Sequence, residues 1–191
     1  MNSDQKTRII ESTIQLIENK PSGEPSIREI ASAAGASLGL INYYFGSRER
    51  LIREAVRAHI NKNVISVYSP EALRPNKKMT PVERLKRVIV GILDYLMEHR
   101  KLSRASILND LTYPESGDNA DLSWTGLKDI LVRILDHENS EKENIAVWSV
   151  IGSIHEAFLR PDLFFVRCGL SLENEKDRLT FATYLAEILG D

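Results

Sequence analysis

The stretch Ser26-Ile27-Arg28-Glu29-Ile30-Ala31-Ser32-Ala33-Ala34-Gly35-Ala36-Ser37-Leu38-Gly39-Leu40-Ile41-Asn42-Tyr43-Tyr44-Phe45-Gly46-Ser47-Arg48-Glu49-Arg50-Leu51-Ile52 decides the fold of this chain. It opens on a Ser-x-x-Glu capping box, in which the Ser26 hydroxyl accepts from the Glu29 amide and the Glu29 carboxylate reaches back to the Ser26 N–H. A helix therefore starts there. It is short and turns Ile27, Ile30, Ala31 and Ala34 inward, and Gly35 follows where a tight helix–helix turn needs a residue that tolerates φ > 0. A second short helix opens at Ser37 and ends near Phe45-Gly46. Gly46 suits a C-terminal cap, and Ser47 suits the N-cap of the helix after it. Ala31, Ala33, Ala34 and Gly35 permit the close crossing of a helix-turn-helix.

The second helix carries little charge, which is odd for a solvated surface. Ser37, Leu38, Gly39, Asn42 and Tyr43 instead offer the hydroxyl, amide and flat apolar groups that meet base edges and thymine methyls in a major groove. Gly39 lets the backbone approach a duplex. Around it, Ser26, Arg28, Tyr44 and Arg48 are expected to hold phosphates, contacts that fix register and not sequence. Three positions keep a second reading. Arg28 also reads as a surface charge paired with Glu24, and of Tyr43 and Tyr44 one packs while the other reaches DNA. Phe45, Leu51, Ile27, Ile30 and Ile41 read as core.

Outward from this segment helical periodicity runs almost throughout and strand-like alternation is absent, so the expected class is all-α. The first helix is predicted over Asp4 to Asn19, with Ile10, Ile14 and Ile17 on one stripe and Ile9, Thr13 and Leu16 beside it. Pro21-Ser22-Gly23-Glu24-Pro25 ends it. A fourth helix runs from Ser47 to about Val67. Ser69 to Met79, with Pro70 and Pro75, reads as a linker, because each proline biases its predecessor away from helix. Domains are therefore expected over 1–67 and 68–191. Thr80-Pro81-Val82-Glu83 is another capping box, followed by the stripe Leu85, Val88, Ile89, Ile92 and Leu96. Further helices are predicted over Lys101 to Leu111, Ser123 to His137, Ser140 to Arg160 and Asn174 to Leu189, about nine in all.

The net charge of −2 argues at first against a nucleic-acid partner. The average hides a division: residues 1–57 hold eight Lys/Arg against seven Asp/Glu, and four of those bases fall within Arg48 to Arg57. Such a run reads equally as a solvated helix face. With Cys168 as its one cysteine, the chain has no intramolecular disulfide. It opens without a charged-then-apolar leader and has no apolar run of the ~20 residues a membrane helix needs, so a soluble, cytoplasmic protein without a membrane partner is expected. An enzyme is disfavoured by the lack of a Gly-rich phosphate loop, of His-Glu-x-x-His and of Gly-x-Ser-x-Gly. The four histidines, His59, His99, His137 and His155, lack metal-ligand spacing, so neither metal nor cofactor is implied.

Over roughly residues 6–57 the series Ile-Arg-Glu-Ile-Ala, Ala-Gly, Tyr-Tyr-Phe-Gly-Ser-Arg-Glu-Arg-Leu resembles the N-terminal signature of the TetR family of transcriptional regulators. Family members usually have Lys where this chain has Arg48, a change that keeps the charge. The resemblance implies a three-helix helix-turn-helix domain followed by a helical ligand-binding and dimerisation bundle. It also implies a homodimer on a palindromic double-stranded operator and a small-molecule effector. Repression is the commoner family behaviour; activation, or DNA binding away from a promoter, is the alternative. The last two long helices then pair with their mates through Trp148, Ile151, Gly152, His155, Phe158, Tyr184, Leu185 and Ile188, unless that apolar surface is all intrachain core. An effector pocket is expected among the helices beginning at Thr80, Lys101 and Ser123, with Tyr95, His99, Asn109, Tyr113, Trp124 and His155 as candidates.

Overall fold

A computed structural model describes residues 2–21, 24–63, 79–135 and 140–190. Among them are ten α-helices and no strand: α1 (Asn2–Asn19), α2 (Ile27–Ala34), α3 (Leu38–Phe45), α4 (Arg48–Asn63), α5 (Pro81–Glu98), α6 (Arg100–Thr112), α7 (Asn119–Leu135), α8 (Ser140–Leu159), α9 (Pro161–Cys168) and α10 (Glu175–Gly190). Of the expected linker Ser69 to Met79, residues 69–78 lie outside the described residues, as does the 67/68 boundary.

Both capping boxes form as the sequence requires. Ser26 Oγ accepts from Glu29 N at 3.3 Å while Ser26 N donates to Glu29 Oε2 at 2.7 Å. Thr80 and Glu83 make the same reciprocal pair at 3.2 and 2.7 Å. The sequence reading of nine helices misses α9. Arg160-Pro161-Asp162 reads as a break, but a proline with no amide to donate fits the first helical position, where that amide has no partner anyway. Gly169 at φ +69° then closes the eight-residue helix.

The chain forms two compact units, Met1–Asn63 with His99–Ala120, and Val64–Glu98 with Asp121–Asp191. In the first, α1 packs on α2, α4 and α6, and α4 also packs on α6. The buried line of α1 is Ile9, Thr13 and Ile17, which takes Ile9 and Thr13 from one predicted stripe and Ile17 from the other, with Ile10, Ile14 and Leu16 partly buried around it. Buried Thr13 satisfies its hydroxyl on the Ile9 carbonyl at 2.8 Å. Ile9, Ile30, Ile41, Phe45 and Leu51 form one core cluster, and Ile17, Ile52, Val56 and Leu102 another. Leu102 comes from α6, so that helix belongs to this unit and not to the one expected from residue 68 onward. In the second unit α10 lies along α5, and α8 packs on α9 and α5. Its α5 buries Leu85, Val88, Ile89, Leu93 and Leu96.

Candidate nucleic-acid interface

The helix-turn-helix is α2 and α3, joined through Gly35 at φ +57°. That left-handed cap, with Gly35 N–H on the Ser32 carbonyl and Ala36 N–H on that of Ala31, turns the chain within three residues. Ser37 then caps α3, its Oγ accepting from Leu40 N at 3.1 Å. Gly46 at φ +76° ends α3, and Ser47 Oγ accepts from Arg50 N at 3.2 Å to start α4.

Helical geometry then sorts the α3 side chains. Ile41 and Phe45, four apart, are buried, while Leu38, Gly39, Asn42 and Tyr43 lie exposed on the opposite face. Tyr43 is 76% exposed; Tyr44 is half-buried against the first core cluster. The two rings meet edge to face at 5.3 Å. Tyr44 is thus the ring that packs, and Tyr43 the one left exposed. A Cβ on Gly39 would meet only Ser37 Oγ, at 3.9 Å, so the backbone there faces open space. Ser26, Arg28 and Ser37 are exposed beside it, and Arg48 is half-buried.

Arg48 does more than carry charge. Its Nε donates to the Pro25 carbonyl at 2.8 Å, tying the start of α4 to the start of α2. Glu29 pairs with Lys20 at 2.8 Å, and that bond, with those from Ser26, holds its carboxyl down at about 2.

The other arginines of α4 are where sequence reasoning fell short, since their partners lie some 60 residues away. Arg53 is 6% exposed. It donates to the Tyr113 carbonyl at 2.9 Å and to the Glu115 carboxylate, and its Nε stands 3.7 Å from Asp110. Arg57 donates to the Gly117 carbonyl and, at 3.4 Å, to Asn119 Oδ1. The basic run is therefore neither a solvated face nor a simple phosphate comb. Lys101 of α6 likewise caps the end of α1, its Nζ donating to the carbonyls of Glu18 and Lys20 at 2.8 and 3.0 Å.

The six effector candidates divide between the units. His99, Asn109 and Tyr113 sit in the first: His99 Nδ1 lies 3.3 Å from His59 Nε2, Asn109 is buried, and Tyr113 is half exposed. Histidines far apart in sequence thus meet across α4 and α6. Tyr95, Trp124 and His155 sit in the second unit, where Trp124 meets Trp148 edge to face at 5.6 Å. Among the interface candidates of α8 and α10, Trp148 is 72%, Tyr184 60% and Ile188 74% exposed, whereas Phe158 and Leu185 are buried in the chain's own core. Ile151 and His155 are half-buried, and Gly152 is exposed.

A short uncharged helix, held by two buried side chains and set on a glycine turn, defines a helix-turn-helix protein. Residues 9–55 match the bacterial regulatory proteins of the tetR family. The chain is 31% identical over 108 residues to the probable HTH-type transcriptional regulator YttP of Bacillus subtilis, a match covering 54% of this chain and 49% of that protein. Its whole fold is similar to a TetR transcriptional regulator from Rhodococcus sp. RHA1 (TM-score 0.62, 18% identity, 99% of this chain and 97% of that one). It is also similar to the regulator FadR of Bacillus subtilis in complex with stearoyl-CoA (TM-score 0.60, 20% identity, 97% and 98%). Residues 9–55 thus carry the helix-turn-helix domain of the tetR family, and the fold of the chain is the one these regulators share.

Proposed function

We propose that the protein is a transcriptional repressor that binds a palindromic DNA operator as a homodimer and is released by a small-molecule effector. The observation that carries this reading is the exposed face Leu38, Gly39, Asn42 and Tyr43 of α3. It has hydrogen-bonding and methyl-contacting groups but no charge, on a helix of eight residues that a major groove accommodates. Ser37 at the start of α3 belongs to the same reading face, and Ser26, Arg28, Tyr44 and Arg48 surround it as phosphate contacts. Arg48 holds α2 through its Nε, and its Nη1 stands 3.8 Å from Glu49 Oε1, a loose pair that a phosphate can displace.

Dimerisation is assigned to the second unit, through Ile145, Trp148 and Gly152 on α8 and Tyr184 and Ile188 on α10, all exposed in the single chain. Large apolar side chains at this exposure mark an association surface. A relative in fold holds stearoyl-CoA, which supports an effector in the helical body of this chain; Tyr95, Trp124 and His155 remain its candidate contacts there.

The test is fluorescence anisotropy with DNA from upstream of the protein's own gene. Binding is expected to be saturable and to weaken steeply with salt. Asn42→Ala with Tyr43→Ala should abolish sequence preference while the circular dichroism spectrum stays helical. Wild-type affinity in that folded double variant sinks the assignment of α3 as the reader.

A further inference from the structure

We propose that Arg53 is a positioning residue of the reader: its buried guanidinium, held by Tyr113, Glu115 and Asp110, sets where α4 stands and hence the operator spacing the protein accepts. The inference rests on the regulator reading above. It starts from a peculiarity of packing. An arginine at 6% exposure on the helix that follows the reader is a costly way to hold two helices together, because an apolar pair of similar volume is often as stable or more so. What an ionic contact adds is geometry: the guanidinium fork accepts partners only at fixed directions.

Those partners lie on one short segment. Tyr113 offers its carbonyl and Glu115 its carboxylate to the two Nη groups. Arg50 approaches the same carboxylate at 3.8 Å, and Arg57 takes the Gly117 carbonyl and Asn119. The segment is itself a built turn: Glu115 N donates to Asp118 Oδ2, Asp118 N to the Glu115 carbonyl, and Gly117 stands at φ +74°. Asp110 then accepts from Ala120 N at 3.1 Å, and Asn119 donates to Ser106. Three arginines of α4 therefore grip one turn, and the turn is fastened to α6 and to the start of α7.

The grip is incomplete at one atom. Arg53 Nε is buried without a hydrogen-bond partner, and the nearest acceptor, Asp110 Oδ1, stands at 3.7 Å. A movement of well under 1 Å between α4 and α6 makes or loses a hydrogen bond there. At the start of α4, Gly46-Ser47 connects directly to α3, and Leu51, two residues before Arg53, shares the reader's core with Ile41 and Phe45. A change in the grip is therefore a change in where α3 stands.

The experiment uses the full chain and DNA duplexes that the wild type selects from a random library, each remade with its half-sites one base pair closer and one farther. Glu115→Ala removes a half-exposed partner and leaves no buried hole; Arg53→Lys keeps the charge and loses the fork. At the selected spacing both variants should bind about tenfold more weakly, the loss of one charged hydrogen bond. They should also discriminate less between spacings, while both keep the wild type's helical circular dichroism spectrum. Unchanged spacing preference in both variants overturns the inference, whether their affinity is wild-type or falls equally at every spacing. A wild type that selects no DNA defeats the regulator reading itself, a separate result.

Discussion

The unit of Met1–Asn63 with His99–Ala120 and the unit of Val64–Glu98 with Asp121–Asp191 solve the same problem of helix packing with opposite surfaces. The first is stapled by long-range polar bonds: Lys101 to the end of α1, Arg53 and Arg57 to residues 113–119, and Arg48 to Pro25. Among its described residues the exposed large apolar ones are Leu38, Tyr43, Leu111 and Tyr113. The described part of the second exposes twice as many, Val132, Ile145, Trp148, Phe165, Val166, Leu179, Tyr184 and Ile188. One long-range ion pair, Arg178 to Asp94 at 2.7 Å, joins its α10 to α5. The difference teaches what each unit must do. A reader has to hold one short helix at a fixed angle, which directional bonds provide, whereas an apolar surface serves association and needs area more than direction.

The contrast can be broken most strongly in the cores. Ile41→Ala on α3 and Leu102→Ala on α6, both essentially fully buried in the first unit, should each destabilise it by about 2–5 kcal/mol. Urea unfolding with hydrogen exchange on α1 and α4 measures both. If Leu102→Ala left the exchange of α1 and α4 untouched, α6 would not belong to the reader's unit. Next in size is Ser26→Ala, which removes the α2 cap and should cost about 1 kcal/mol in the same unfolding experiment.

On the second unit, Trp148→Ser should lower the stability of the single chain by only about 1 kcal/mol, the loss of its edge-to-face contact with Trp124, because the side chain is otherwise 72% exposed. Its effect should instead appear as a midpoint that no longer rises with protein concentration. A midpoint independent of concentration in the wild type as well would argue against association through α8.

The smallest effects are in pH. Glu29, held at about 2 by Lys20 and Ser26, contributes stability that is complete above 4.5 and lost as pH falls toward 2. Glu29→Gln should remove that dependence, and added salt should shrink it. In the second unit burial pushes the His155 imidazole below its ordinary 6.5. Its contribution is therefore present above 6.5 and lost as pH falls through the lower folded value. His155→Gln should flatten the decline in melting temperature on that acid side.

Much of this was legible locally. Ser26 and Glu29, Thr80 and Glu83, and the glycines at 35 and 46 act within four residues, so their order along the chain suffices to place the ends of α2, α3 and α5. The sidedness of α3 follows from period 3.6 once Ile41 and Phe45 are taken as core. The stripe of α1 was harder, because Ile9-Ile10, Ile14 and Leu16-Ile17 leave two adjacent apolar lines and only the packing partner chooses between them. Pro161 was misjudged because a proline that starts a helix and one that ends it look alike without the capping geometry.

By itself, then, the sequence determined the all-α class, the helix-turn-helix over 26–48 and the groups that α3 exposes, since caps, turns and helical periodicity are short-range. Only the tertiary structure decided that α6 belongs with the reader, that Arg53 and Arg57 grip the turn at 113–119, and that His59 meets His99. These partners stand 40 to 62 residues apart. Which distant carboxylate or carbonyl a buried arginine finds depends on how helices pack in three dimensions, and no local spacing encodes it.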